Sequence, residues 1–358
     1  MKILMLGSRG PDRVIGGVEA YVRGLSRSLG ALGHMVTVSA SRIGISSTEN
    51  TPGRMPLGGR VKVCADGILP SGPWEMPSRA FVGAWRGLCE RYDIVHIHGA
   101  DPALIAAPIL ELARRRIVVT VHSQNYRSGE RFGWVRQYLS LRAERRAFGR
   151  ANAVVVLTRR MLPDGQETER LWYVPPGTEF SERAIETGPR RGFVVVSRIV
   201  PGKGLEALAD ACREVSIPDA VSVVGGGDAS YVRKLVRRSA GKLRFIGPLF
   251  GDELAKRIAG ASALIMSSVV ECAPLVLREA LCLGTPVIGH PMFLTELGKS
   301  NMLLPCHDIG GSDLVDAMSK ARAAPLDLPF VEKVRAQCSW HAQAVKTEQI
   351  YHTVLGNR

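Results

Sequence analysis

Apolar positions along this chain fall into short unbroken runs separated by longer stretches of helical period. Ile94–Ile97 and Val118–Val121 are short apolar runs typical of parallel strands covered on both faces, and Ile3–Leu6, Met35–Ala40 and Ala153–Leu157 also read as strands. Val61–Ala65 is a weaker strand of the same kind. Val18–Leu32, closed by Gly33, and Trp134–Phe148 read as amphipathic helices. The pattern breaks at Val174-Pro175-Pro176-Gly177 and stays irregular to Gly192. It then restarts as strands Phe193–Ser197, Val221–Val224, Arg244–Ile246 and Ala263–Met266, with helices Leu205–Val215, Ala229–Ala240 and Glu253–Ile258 between them. The chain therefore reads as α/β, with two Rossmann-like doubly wound parallel-sheet domains, 1–175 and 176–358. Ligands of such sheets bind beyond the carboxyl ends of the strands, so two facing domains imply a central cleft. Gly44–Arg60, rich in Gly, Ser, Thr and Pro, reads as a long surface loop, and Val331–Leu355 as a terminal helix.

Composition narrows the class. At 358 residues, 46% hydrophobic and 22% charged, the chain suits an ordinary globular protein of two domains. No apolar run approaches the roughly 20 residues that span a bilayer, and the N-terminus reads as a first strand, not as a signal peptide. Seven scattered cysteines without a Cys-x-x-Cys pair point to reduced thiols and a cytoplasmic setting, with no zinc site. The net charge of +14 is uneven: residues 1–175 hold about 25 Lys/Arg against about 14 Asp/Glu. Such a basic half suits a phosphorylated substrate or an anionic membrane surface. Nucleic acid is disfavoured, because the aromatic content is only 6% and no aromatic-basic repeat is present.

The most informative segment runs from Ser268 to Ile288. Glu271 precedes a helix-forming stretch that Gly284 and Pro286 close, and Glu279 lies within it, three and four residues after Val276 and Leu275. That spacing puts Glu279 on the side of the first helical turn, whose free N–H groups attract anions. A carboxylate beside an anion site suits a ligand with both hydroxyls and phosphates.

This arrangement resembles the Glu-x7-Glu signature of retaining glycosyltransferases of family 4, which have the GT-B fold, and the resemblance extends over nearly the whole chain. It implies that Glu271 binds sugar hydroxyls, Glu279 the ribose, and the Leu275 and Val276 N–H groups a phosphate. Arg198 and Lys203, in Ser197-Arg198-Ile199-Val200-Pro201-Gly202-Lys203-Gly204, sit at a strand end and a helix start; fixed cations there stabilise charge on a departing diphosphate. The family uses them so, and most of its members need no metal there, so no metal or other cofactor is expected. Gly225 and Gly227, in Gly225-Gly226-Gly227-Asp228, resemble its loop near the nucleotide, although Asp228 equally suits a helix N-cap. Gly16 and Gly17 open a helix and allow close approach of backbone to the donor diphosphate. His122 ends a strand in Thr120-Val121-His122-Ser123-Gln124-Asn125, where similar enzymes keep a histidine near the transferred sugar. His98 and Asn125 are acceptor-side candidates. His96 and His98 are placed on opposite strand faces, which argues against a shared metal, with His96 as the core residue. Cys338-Ser339-Trp340 and Ile350-Tyr351 resemble the family's terminal helix, which from about 336 to 358 returns to the first domain.

Two segments depart from the family pattern. Cys272-Ala273-Pro274 replaces a usual glycine and aromatic stretch, and Pro274 suits the first turn of the helix. His290-Pro291-Met292 stands where a Gly-Gly turn is usual, which leaves Glu296 without a clear role. The basic segment Arg136–Arg150, with Trp134 ahead of it, suits either a surface helix or contact with anionic lipid on the inner face of a membrane. The expected activity is hexosyl transfer from a nucleoside diphosphate sugar to a glycan or lipid-linked glycan, in cell-surface polysaccharide or glycoconjugate synthesis. A nucleotide-sugar epimerase or a non-catalytic scaffold of an assembly complex are the alternatives. No side chain stands out as a general base.

Overall fold

A computed structural model describes residues 1–11, 16–41, 58–66, 74–122, 145–185, 188–214, 221–268 and 271–356. The chain divides into two compact units, Met1–Gly177 with Trp340–Arg358, and Thr178–Ser339.

In the first unit seven strands form one parallel sheet: β1 (Lys2–Leu6), β2 (Met35–Ala40), β3 (Val61–Ala65), β4 (Ile94–His98), β5 (Ile117–Val121), β6 (Ala153–Val156) and β7 (Leu171–Tyr173). Their order is β3-β2-β1-β4-β5-β6-β7. The order reverses between β1 and β4, so their carboxyl ends diverge into the crevice where such sheets bind ligands. Strands β4 and β5 are buried at every position, which accounts for their mostly apolar sequence. Helices α1 (Gly17–Ala31), α2 (Glu75–Cys89) and α3 (Ala100–Leu112) cover the sheet.

The second unit repeats the plan with six parallel strands: β8 (Phe193–Val196), β9 (Val221–Val224), β10 (Leu243–Gly247), β11 (Ala263–Ile265), β12 (Val287–Gly289) and β13 (Leu303–Pro305), in the order β10-β9-β8-β11-β12-β13. The reversal falls between β8 and β11. The helices, in chain order, are α4 (Leu205–Glu214), α5 (Ala229–Arg238), α6 (Gly251–Ala259), α7 (Leu275–Cys282), α8 (Pro291–Leu294), α9 (Ser312–Ala323) and α10 (Leu328–Gln337). No disulfide joins any of the seven cysteines.

Two expectations change. The terminal segment is two helices, α10 and α11 (Trp340–Gly356), not one. The break falls where the Thr178 N–H donates to the Cys338 carbonyl at 2.7 Å and Thr178 bridges to Ser339, so backbone groups at the joint serve that bridge. Helices α2, α3, α8 and α9 and strands β7 and β13 are additional to the elements read from the sequence. Of the basic segment 136–150, 145–149 is helical and 136–144 lies outside the described residues, as do Trp134 and most of Gly44–Arg60.

Candidate active site

At the carboxyl edge of the second sheet, three loops interlock through their backbones. The loop after β8 carries Arg198 and Lys203. Gly204, which follows, has φ +70°, and a Cβ there would lie 1.9 Å from the Ser267 carbonyl oxygen. Ser267, just beyond β11, donates its hydroxyl to the Lys203 carbonyl at 2.7 Å. The glycine loop after β9 closes the other side. A Cβ on Gly225 would meet the Ser197 oxygen at 1.9 Å and one on Gly227 the Ile199 oxygen at 2.3 Å, while the Ile199 N–H donates to the Gly226 carbonyl at 2.8 Å. Packing against the Arg198 loop thus accounts for both glycines. Asp228 caps α5, accepting from the N–H groups of Ser230 and Tyr231 at 2.9 and 3.1 Å.

These loops deliver Lys203 to Glu271. The Lys203 Nζ lies 2.5 Å from Glu271 Oε1, and both side chains are half-buried. Arg198 is exposed and has no ion pair among the described residues. Pro274 is the N-cap of α7, one position ahead of the first turn, with extended backbone and no side-chain cap. Leu275 and Val276 therefore occupy the first two helical positions, whose N–H groups have no partner within the helix. Glu279, one turn on, keeps only part of its surface accessible. Burial, and then the neighbouring Glu179 carboxylate, push its pKa up to about 7. Glu179 was not singled out from the sequence; its position in the turn after Gly177 carries no periodic signal.

The carboxyl edge of the first sheet holds a ring cluster. His98, at the end of β4, and His122, just beyond β5, approach with His98 Nδ1 3.2 Å from His122 Nε2. The expectation that His96 and His98 lie on opposite faces is incorrect. Residues two apart in a strand share a face, and the two rings stack with centroids 4.3 Å apart and planes 29° apart. His96 is internal, as expected, with Nδ1 2.6 Å from the Tyr351 hydroxyl and Nε2 2.7 Å from Thr120 Oγ1. His98 is also buried, at 2% exposure, while His122 keeps part of its surface. Burial pushes the pKa of His122 down to about 3, and that of His98 well below its ordinary value, so both rings are neutral near pH 7. Tyr21 of α1 stands edge-on to both, at 5.7 and 4.7 Å, and to Trp340 of α11 at 6.0 Å.

Gly16 is the N-cap of α1 and Gly17 its first residue, and that helix start also lacks a side-chain cap. Asn125 lies outside the described residues. Among the described residues no group of three or more His, Cys, Asp or Glu is placed to hold a metal ion.

Each half of the chain matches a known family profile: residues 15–180 match Glycosyltransferase Family 4, and 190–322 match Glycosyl transferases group 1. The chain is 28% identical over 373 residues to the phosphatidyl-myo-inositol mannosyltransferase of Mycobacterium tuberculosis, covering 96% of this chain and 95% of that one. It is 24% identical to the D-inositol 3-phosphate glycosyltransferase of Pseudarthrobacter chlorophenolicus, over 95% and 91% of the two chains. Among solved structures, the sucrose-phosphate synthase of Thermosynechococcus elongatus superposes with a TM-score of 0.78 at 20% identity, covering all of both chains. Anabaena Alr3699/HepE in complex with UDP gives 0.71 at 16%, over 98% and 99%.

Proposed function

The chain belongs to glycosyltransferase family 4, a glycosyltransferase with the GT-B fold, and from that premise we propose that it transfers a sugar, with retention of anomeric configuration, from a nucleoside diphosphate sugar to a hydroxyl of a glycan or lipid-linked glycan. The products belong to cell-surface polysaccharide or glycoconjugate synthesis.

The observation that carries this reading is the Lys203–Glu271 pair beside the uncapped start of α7. An ammonium group and free helical N–H groups attract a diphosphate, and two carboxylates, Glu271 and Glu279, accept hydrogen bonds from sugar and ribose hydroxyls. Arg198 adds a second cation as charge develops on the leaving group. By the family resemblance Gly16, Gly17 and His122 act on the donor, whereas His98 is buried and acts on no substrate directly. No metal is required, because the cations are supplied by side chains. The leaving phosphate itself takes the proton of the acceptor hydroxyl. The reading is supported by the UDP bound in the Anabaena structure and by the phosphatidyl-myo-inositol mannosyltransferase activity in the mycobacterial relative's name.

Peripheral contact with an anionic membrane surface is part of the same proposal. Among the described residues no helix is long and apolar enough to cross a membrane. Helix α2, however, turns small residues inward (Ala80, Gly83, Ala84 and Gly87) and leaves Trp74, Phe81 and Trp85 at its outer side, 69%, 51% and 58% exposed. At its C-terminal end Arg115 donates to the Leu88 carbonyl, and Leu112 of α3 is 89% exposed. Exposed aromatics on a unit with an excess of basic residues suit the headgroup region of an anionic bilayer.

A thermal-shift series with UDP, GDP, ADP and dTDP, each with and without EDTA, tests the donor site. A selective shift by one nucleoside diphosphate, insensitive to EDTA and lost in Lys203→Ala, is expected. No shift with any of the four would remove the reading.

A further inference from the structure

Beyond the residues assigned to substrate, the first unit holds a buried stack that leads from helix α11 to His122. Tyr351 holds His96 at Nδ1, and Thr120 holds its Nε2. The fixed His96 ring stacks on His98, and His98 faces His122 nitrogen to nitrogen. Tyr21 closes the stack edge-on. A neutral imidazole carries one N–H, and the facing nitrogens are 3.2 Å apart, so one of the two donates.

The remaining nitrogen of His98 decides which. His98 Nε2 is buried and has no hydrogen-bond partner among the described residues. Were His122 the donor, His98 would accept at Nδ1 and carry its proton on Nε2, leaving a buried N–H without an acceptor. Were His98 the donor, its Nε2 would be a bare ring nitrogen. A buried orphan N–H is the rarer and more costly of the two defects.

We propose that His98 is a positioning residue: by donating from Nδ1 to His122 Nε2 it fixes the His122 tautomer with the proton on Nδ1. His122 is the one ring of the three histidines that keeps appreciable accessible surface, and its Nδ1 has no protein partner among the described residues. It therefore presents an N–H donor to an oxygen of the substrate, a sugar hydroxyl or a phosphate oxygen, and offers no lone pair on that side to act as a base. The tautomer follows from the stack alone; its use on substrate rests on the transferase reading above. Orientation of one ring nitrogen by the partner of the other is a general means of setting imidazole chemistry.

The test is nitrogen-15 NMR of the histidine rings in the full chain labelled with ¹⁵N-histidine, without substrate, with the His122 signals assigned by their loss in His122→Gln. The expected result is a His122 ring protonated on Nδ1 in the wild type. It stays so in His98→Asn, whose amide can donate from nearly the same place. It moves toward the Nε2-protonated form in His98→Leu. A wild-type His122 protonated on Nε2 overturns the proposal, and this reading needs no variant of His98 to fold. A tautomer unchanged in folded His98→Leu overturns it as well. Failure of the transferase reading would show separately, as absence of nucleoside diphosphate binding with the tautomer as proposed.

Discussion

Lys203 and Glu271 are 68 positions apart in sequence, yet their side chains meet at 2.5 Å with only 20% and 24% of each exposed. They meet because β8 and β11 are neighbours at the point where strand order reverses, and because Gly204 lets the two loops touch backbone to backbone. The lysine is thus already engaged by a carboxylate, and an anionic ligand must compete for it.

That competition predicts opposite effects from the two partners. Glu271→Gln frees Lys203 and should tighten binding of a bare nucleoside diphosphate by about 3–5-fold, the worth of a partly exposed ion pair. Lys203→Ala should weaken it by about 10-fold or more, since a charge-assisted bond to phosphate is lost. Calorimetric titration with UDP and GDP measures both. Weaker binding in Glu271→Gln would rule out the competition.

Glu279 predicts a pH effect on stability. Its folded pKa is raised from 4.5 to about 7. Below about pH 4.5 the carboxyl is protonated in both folded and unfolded chains and contributes nothing. Between about 4.5 and 7 the unfolded chain releases the proton first, so stability falls as pH rises; above 7 the penalty is complete. Glu279→Gln should therefore melt higher than the wild type near pH 8, by an amount on the order of 2 kcal/mol, and converge with it near pH 4.5. Melting curves across this range decide it, and an equal difference at both ends would contradict the assignment.

Gly204 predicts a steric effect. Alanine there meets the Ser267 oxygen at 1.9 Å in a left-handed conformation, whereas alanine at Gly241, with φ +77°, meets nothing within 4 Å. Urea denaturation should show Gly241→Ala losing about 1–2 kcal/mol, the conformational cost alone, and Gly204→Ala losing clearly more. Equal losses would mean that the loop contact yields freely.

The outer side of α2 predicts surface behaviour. Replacing Phe81 and Trp85 by serine should reduce co-sedimentation with vesicles containing phosphatidylglycerol while changing stability by no more than about 1 kcal/mol, since both side chains are largely exposed. Unchanged partitioning would exclude this helix as the membrane contact.

Local pattern carried the architecture. Strands such as Met35–Ala40, Val61–Ala65 and Val221–Val224 were legible to the residue, because each is a short stretch rich in valine and other β-favouring residues. The glutamate helix was legible through its closing glycine and its spacing. Helix α2 was not, because its inward face is built of glycine and alanine and its outward face of aromatics, the reverse of the usual pattern. Helix α3 escaped because it is apolar on most sides and carries Pro108 within it.

The sequence by itself therefore determined two parallel α/β units, the chemistry available at their strand ends, and the family. Tertiary structure alone decided which of those groups meet. Backbone packing around Gly204, Gly225 and Gly227 seats Lys203 against Glu271. The environment of Glu279, with Glu179 beside it, raises its pKa. The return of α11 to the first unit places Tyr351 on His96. Periodicity reports which face of an element is covered, because that depends on neighbours a few positions away. Ion pairing, desolvation and ring stacking depend on groups as far apart in sequence as His96 and Tyr351 or Tyr21 and Trp340, and those distances are set only when the sheets are assembled.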